Sequence, residues 1–280
     1  LRRIAITDGI PELVRLFDFQ KPFAENLGVL FTQNSAYFRY AESELRRHFR
    51  TPETYNILLY GMATGHNRIS QLAEFSGFPQ NKCDKYLKAS DKAELLETVQ
   101  RKDTAGHVRT HYYPKGGYWK TWFRYVFPSQ GCCLKPLEWD SLQQLADDID
   151  CAIVVEYFKK VCWQWMKKNY GDYYWDEVLR FDDPKQQNVT VNGVHFDYVQ
   201  ETKDHTIYVK IWDDIREGFP KAEFQKIETV TTKNRPFYEN IYFLFSAGRA
   251  CNYVEQLRNL DTVSMVDLKS LLGQKNKELF

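Results

Sequence analysis

Several features are missing from this 280-residue sequence, and each absence argues against a class of protein. No apolar run approaches the roughly 20 residues that a membrane-spanning helix needs, and the N-terminal residues lack the apolar core of a signal peptide. We therefore expect a cytoplasmic protein with no membrane partner. The sequence starts at Leu1 without an initiator methionine, so we expect the chain to be part of a longer protein.

Metal-binding and nucleotide-binding motifs are also missing. None of the six cysteines forms C-x-x-C, and no histidine lies at zinc-finger spacing from a cysteine pair. This pattern predicts reduced thiols in a cytosolic protein. No glycine is followed by lysine, so the G-x-x-x-x-G-K-[ST] loop that holds ATP phosphates is absent. We expect that this chain alone does not hydrolyse ATP.

Charge is plentiful but unevenly distributed. Residues 1–50 carry a net charge of +2, residues 51–135 carry +5, and residues 136–280 carry −6. Because nucleic acid phosphates attract cations, the middle segment is the best candidate for contact with nucleic acid.

Apolar spacing and helix-end residues predict the first two segments. Residues 1–50 are predicted to be helical pieces, either an arm or the remnant of a preceding domain. Residues 51–135 are predicted to contain three helices, with Pro52 at the start of the first and Gly77 at the end of the second. Two strands around the polar turn "KDTAGH" follow. This order is that of a winged helix-turn-helix.

The winged-helix prediction names a set of candidate contacts to double-stranded DNA. Amide side chains can read adenine edges, and basic side chains can hold phosphates. The candidates lie on the third helix and near the hairpin turn: Gln80, Asn81, Lys82, Lys85, Lys88, Lys102 and Arg109. The alternative is a winged helix that serves only for packing against other protein. The aromatic stretch 118–127 is predicted to be a buried helix.

The third segment, residues 136–280, alternates helices and strands and predicts an α/β domain with a mixed sheet. A long amphipathic helix precedes three predicted strands, "WDEVLRF", "GVHFDYVQE" and "HTIYVKIW", of which the last two are predicted to form a hairpin. A helix over "AEFQKIETVTTKN" and the apolar strand "NIYFLFSA" follow. The order of one helix, three strands, one helix and one strand is that of the PD-(D/E)XK, restriction-endonuclease-like fold.

The predicted hairpin raises the question of a nuclease site. A nuclease of this fold holds Mg²⁺ on an Asp of one strand and an acid of the next, with a Lys two residues further on. Asp197 and Lys210 fit this pattern, but Tyr208 replaces the second acid. Strand alternation places Tyr208 and Lys210 on one face of their strand. If the two strands of the hairpin pair in matching register, Asp197 lies on the same face. The sequence therefore predicts a degenerate site without a cofactor.

Alternatives for this site remain open. A replacement ligand can come from Glu156 on the preceding helix or from Asp213 and Asp214 after the strand, with Mg²⁺ or Mn²⁺ then bound at Asp197. Asp197 and Lys210 can instead form a structural ion pair. Restoring an acid by Tyr208→Glu is the variant that the sequence suggests for recovery of metal binding.

The whole chain resembles the C-terminal part of the archaeal-type AAA ATPases of prokaryotes. "AITDGIPELVRLFD" is similar to the "GGIP" segment of that family, with Asp8 in place of the first Gly. "ILLYGMATGHNRISQLAEFSGFPQNKCDKYLKA" resembles its winged helix, and "YYPKGGYWKTWFRYVFPSQ" the segment that leads into its nuclease-like domain. The resemblance implies a partner ATPase domain, either N-terminal to Leu1 or on another subunit.

Three functions follow as expectations. The first is a non-catalytic regulatory or DNA-binding module of a larger ATPase. The second is a metal-dependent DNA nuclease with a migrated carboxylate ligand. The third is a transcription regulator that acts through the winged helix.

Overall fold

The computed structural model describes residues 1–32, 35–102, 107–128, 139–170, 173–174, 177–181, 183, 185–234, 239–248 and 262–271. The fold is mixed α/β, as the sequence predicts. The chain divides into two compact units, Leu1–Val154 and Val155–Phe280. The three-part division with boundaries near residues 50 and 135 stays a prediction.

The first unit is mainly helical. Its α-helices are α1 (Arg2–Ala5), α2 (Pro11–Val14), α3 (Phe23–Leu30), α4 (Ala36–His48), α5 (Pro52–Ala63), α6 (Ile69–Ser76), α7 (Gln80–Lys92), α8 (Gly116–Thr121) and α9 (Trp139–Ile149). Ser35 caps α4 by accepting a hydrogen bond from the Phe38 N–H. Gly77 ends α6 in the left-handed conformation, with φ of 70°, as the sequence predicts.

The N-terminal helices share a core with α8. The buried hydroxyl of Tyr37 donates to the Ile6 carbonyl at 2.7 Å, and the buried hydroxyl of Tyr118 donates to the Tyr37 carbonyl at 2.8 Å. Gly117 lies so close to α1 that a Cβ atom there would be 1.8 Å from the Ala5 carbonyl oxygen. The helical prediction for residues 1–50 is confirmed, and these helices pack into the unit.

A two-stranded antiparallel hairpin follows α7. Strands β1 (Leu96–Lys102) and β2 (Val108–Pro114) pair along their full length, which confirms the predicted hairpin; turn residues 103–106 lie outside the described residues. After α8, a π-helical turn (Trp122–Val126) buries Trp122 and Phe123, so the predicted burial of this aromatic stretch is confirmed.

The second unit contains a five-stranded mixed sheet. Its helices are α10 (Val155–Tyr170), α11 (Lys221–Asn234) and α12 (Leu268–Leu271). Its strands are β3 (Tyr173–Tyr174), β4 (Glu177–Val178), β5 (Gln187–Val191), β6 (Val194–Glu201), β7 (His205–Trp212), β8 (Glu239–Ser246) and β9 (Val263–Asp267). The sheet order is β5-β6-β7-β8-β9, antiparallel up to β7 and parallel from β7 to β9.

Most predicted elements of this unit are present. The hairpin of β6 and β7, helix α11 and the central strand β8 lie where the sequence predicts them. The described residues of the predicted strand "WDEVLRF" contain only the two-residue strand β4, which pairs with β3 outside the five-stranded sheet. The sheet begins instead with β5, which was not predicted, since its Asn188 is a poor strand former. The predicted helix "CNYVEQLRN" lies outside the described residues.

Helices α10 and α11 cover opposite faces of the sheet. On β8, Phe243 and Phe245 pack against Tyr170 and Trp165 of α10, with ring centroids 5.1 and 5.7 Å apart. Tyr242, the residue before Phe243, points to the opposite face of the sheet and contacts the Phe224 ring of α11. Because successive strand residues point to opposite faces, each helix covers one face. Within the described part of the chain, no helix is both long and apolar enough to cross a bilayer.

Candidate functional site

Asp197 on β6 is the centre of the predicted nuclease-like site, and its carboxylate is fully engaged. Its side chain is 5% exposed. One carboxylate oxygen, Oδ1, accepts a hydrogen bond from the Lys159 ammonium of α10 at 2.9 Å. The other, Oδ2, accepts one from the backbone N–H of Ile211 at 2.7 Å. Both oxygens that a metal would need are therefore held by this chain's own donors.

The alternation of side chains along β6 is broken at Asp197 and Tyr198, which both contact α10, through Lys159 and the Trp163 ring. Phe196 and Val199 belong to the same buried cluster as Phe224 and Ile227 of α11. In a regular strand, residues three apart point to opposite faces. Asp197 instead faces α10 through Lys159. The regular alternation on which the sequence prediction relied is therefore broken at this point of β6.

Tyr208 lies on the other side of the sheet. Its side chain is completely buried, and its ring packs against the rings of Phe196 and Tyr242. Its hydroxyl accepts a hydrogen bond from Asn234 at 3.5 Å. The prediction that Tyr208 and Asp197 share one face is wrong, because the side-chain alternation of β6 is broken at Asp197. Tyr208 is a core residue on the α11 side.

Lys210 does not form the ion pair with Asp197 that the sequence allowed. Its ammonium donates to the backbone carbonyl of His195 at 2.7 Å. The ion pair of Asp197 is formed with Lys159, a residue that sequence reasoning missed. Lys159 interrupts the apolar stripe of α10 one turn before Cys162. Lysines at the edge of an apolar stripe are common, because the ammonium can reach solvent, so the sequence alone did not indicate a buried partner for Lys159.

The candidate replacement ligands contact residues close to them in sequence or are exposed to solvent. Glu156 faces Lys160 on the same helix at 3.6 Å. Asp214 accepts the backbone N–H of Arg216 at 2.9 Å, and Asp213 is exposed. Over the ranges that the structure describes, no three His, Cys, Asp or Glu side chains form a group that could hold a metal ion.

The thiol of Cys162 lies in the same environment as Asp197. Burial, together with the negative charge of Asp197, raises the pKa of Cys162. A thiol that stays protonated is a weak nucleophile and a weak metal ligand. This part of α10 thus provides packing and one cation, and it lacks a reactive group beside Asp197.

On the other unit, helix α7 presents the residues predicted to contact DNA. Gln80, Asn81, Lys85 and Lys88 are exposed. Two of the α7 lysines have partners of their own. Lys88 forms an ion pair with Asp84 at 2.6 Å, and the Lys82 ammonium lies 3.8 Å from the centre of the Phe78 ring.

The hairpin carries the remaining candidates. Arg109 is exposed on β2 and lies directly opposite Arg101 of β1. Lys102 is the last residue of β1, and its side chain lies outside the described part of the structure. The prediction omitted Arg101 because strand register is needed to place it beside Arg109.

Comparisons with known proteins show a weak similarity to an archaeal protein. No protein-family model matches the chain. The chain is similar to an uncharacterized protein, MJECL04, of Methanocaldococcus jannaschii, with 28% identity over 127 residues. The match covers 44% of this chain and 28% of that protein, so the chain spans well under half of its relative's length.

Proposed function

We propose that this chain is a DNA-binding, non-catalytic module of a larger prokaryotic AAA-type ATPase. Binding to double-stranded DNA resides in a winged helix made of α5, α6, α7 and the hairpin of β1 and β2. The nuclease-like sheet has lost cleavage and serves assembly or regulation.

The proposed loss of cleavage rests on one observation, the pairing of the buried Asp197 carboxylate with Lys159. A lone buried acid whose charge is compensated by Lys159 at 2.9 Å leaves little to attract a dication. Tyr208 on the opposite face cannot supply a second ligand. These two features support a nuclease-like fold that no longer holds a catalytic metal.

The observation that supports DNA binding is the element order of the first unit together with its exposed polar surface. Three helices and an antiparallel hairpin place Gln80, Asn81 and Lys85 in solvent on the third helix. In winged helices, this helix enters the major groove. The resemblance to the ATPase family supports the wider assignment.

Two assays on the full chain test this proposal. Fluorescence anisotropy with a labelled duplex is expected to show binding that weakens as salt rises. Lys85→Glu is expected to weaken binding, whereas Lys226→Glu, a matched change of an exposed lysine on α11, leaves it unchanged. Absence of any duplex binding would overturn the DNA-binding assignment.

The second assay is incubation of labelled DNA with the chain and Mn²⁺, beside Asp197→Asn and Asp197→Ala. No cleavage is expected from any of the three proteins. Cleavage by the unmodified chain that both variants lose would contradict the loss of activity, and Glu156 would then be the first residue to test as a ligand.

A further inference from the structure

The junction between α4 and α5 packs against the third helix of the proposed winged helix. Phe49, the residue after α4, stacks on Tyr55 of α5, with ring centroids 3.6 Å apart. Tyr55 in turn meets the Tyr86 ring of α7 edge-on, at 4.7 Å. Because aromatic pairs with these geometries are favourable contacts, the three rings hold the end of α4 beside the middle of α7.

Two arginines at this junction point into solvent. Arg46 lies in the last turn of α4, Arg50 links Phe49 to α5, and both are exposed. The backbone at Phe49 is extended, with φ of −130° and ψ of 133°, so the side chains of neighbouring residues point to opposite sides. Since Phe49 is buried, Arg50 faces outward. Among the residues that the structure describes, neither arginine forms an ion pair. We call Arg46 and Arg50 the junction arginines.

Lysines of α7 flank the ring that packs on this junction. The Lys82 ammonium lies 3.8 Å from the centre of the Phe78 ring and 5.8 Å from that of Tyr86. A cation over an aromatic face is oriented by the ring and keeps its charge. Lys85, the residue before Tyr86, is exposed. Positive side chains therefore continue from α7 to the end of α4.

Two acids of these helices are already paired with other cations. Residues 36–92, which include α4 to α7, carry nine basic and six acidic side chains, a net charge of +3. Glu44 forms an ion pair with Arg47 at 3.5 Å, and Asp84 forms one with Lys88 at 2.6 Å. Glu44 and Asp84 therefore do not neutralise the junction arginines.

The other four acids leave a positive excess around the ring stack. Glu53 is exposed on α5, but residues two apart on a helix do not face each other, so Glu53 points away from the side of Tyr55. Two further acids lie on parts of these helices that carry no ring of the stack: Glu74 on α6 and Asp91 in the last turn of α7. Glu42, one turn before Arg46, offsets one charge. Around the stack, this single acid is opposed by four cations: Arg46, Arg50, Lys82 and Lys85.

We propose that the junction arginines bind the phosphate backbone of double-stranded DNA beside the groove that α7 enters, so that the DNA contact extends from α7 to the end of α4. This inference rests on the proposed DNA-binding function and adds a contact outside the elements of the winged helix. A planar guanidinium donates two parallel hydrogen bonds to a phosphate, which an ammonium cannot do. Both junction arginines lie outside the set of DNA contacts that the sequence predicts.

The test compares two double variants of the full chain by fluorescence anisotropy with a labelled duplex at several salt concentrations. Arg46→Gln with Arg50→Gln removes the junction charges. Arg15→Gln with Lys226→Gln removes the same charge from exposed positions after α2 and on α11. Each phosphate contact contributes about 0.9 to the slope of log affinity against log salt. The junction variant is expected to lose about 2 from that slope and at least roughly tenfold in affinity at about 0.1 M salt, and the control pair is expected to lose neither.

A charge-preserving variant separates DNA binding from folding. Arg46→Lys with Arg50→Lys keeps both charges and is expected to retain most of the slope, because the slope counts the cations that displace counterions. The melting temperature of the junction variant is expected to stay close to that of the unmodified chain, since both positions are exposed. A lowered melting temperature together with a slope that the Lys pair does not restore would assign these arginines to packing and overturn the inference.

The remaining outcomes separate this inference from the proposed function. If the junction variant keeps the unmodified slope while Lys85→Gln lowers it, the junction contact is overturned and DNA binding through α7 stands. An equal loss in the control pair would assign the effect to total charge and would also overturn the junction contact. If the unmodified chain binds no duplex, both the DNA-binding function and this inference are overturned.

Discussion

The ammonium of Lys159 lies 2.9 Å from Oδ1 of Asp197, on the face of the sheet opposite to Tyr208. The acid is almost completely buried, whereas the Lys159 side chain is 34% exposed. A residue that resembles a catalytic acid in the sequence thus serves as the buried half of an ion pair between a helix and a strand.

Asp197→Ala is expected to destabilise the second unit by about 2–3 kcal/mol, because it leaves a partly buried ammonium without its partner. It also leaves the Ile211 N–H without its side-chain acceptor. Urea unfolding measures this loss. Glu156→Ala, at a half-exposed pair on the same helix, serves as the control and is expected to change stability by less than about 0.5 kcal/mol. Equal effects of the two substitutions would contradict the structural role of Asp197.

Tyr208→Glu is expected to disrupt the sheet without restoring a metal site. The new carboxylate would lie among Phe196 and Tyr242, and burying an unpaired charge there costs several kcal/mol. Tyr208→Phe, which keeps the ring and loses the hydrogen bond from Asn234, is expected to remain folded. Circular dichroism and titration calorimetry with Mn²⁺ check both. A folded Glu variant that binds Mn²⁺ would show that Tyr208 and Asp197 can meet.

Asp8 is expected to stabilise the first unit by capping α8. Its carboxylate accepts hydrogen bonds from the N–H groups of Gly117 at 2.7 Å and Tyr118 at 3.0 Å. Asp8→Gly tolerates the positive φ of 50° at this position but removes the cap. We expect a loss of about 1–2 kcal/mol in the free energy of unfolding. Asp8→Asn keeps an acceptor and is expected to lose less; the reverse order in thermal unfolding would rule out the cap.

The pH dependence of stability is expected to contain a contribution from His111. Its pKa in the folded protein lies below the ordinary value of 6.5, so the unfolded chain binds this proton more readily. The contribution of the neutral imidazole is fully present above pH 6.5 and is lost as the pH falls toward the folded-state pKa.

An NMR titration of the His111 ring checks this expectation. The midpoint should lie below 6.5 and should rise in the Arg101→Gln variant, because one of the two repelling arginines is removed. Arg46→Gln on α4 is the control. A midpoint that does not respond to Arg101→Gln would show that the charge of Arg101 does not lower the pKa of His111.

Local patterns in the sequence determined the secondary structure of the parts that matter most here. Helix-end signals such as Pro52 and Gly77 placed α5 and α6, because their backbone preferences act within a few residues. Alternating apolar residues likewise predicted both hairpins, because strand alternation is also set within a few residues. The presence of an acid at position 197 and a lysine at 210 was also visible without a structure.

Only the tertiary structure decided what these side chains face. A break in the side-chain alternation of β6 decides the side of the sheet on which Asp197 lies, and no local pattern in the sequence indicates it. The partner of Asp197 is Lys159, 38 residues away in sequence. Arg101 and Arg109 lie opposite each other because of the strand register, and the hydrogen bonds of Asn67 tie the start of α6 to β2. Such pairings depend on how elements pack in space, whereas sequence periodicity reports only how each element is built.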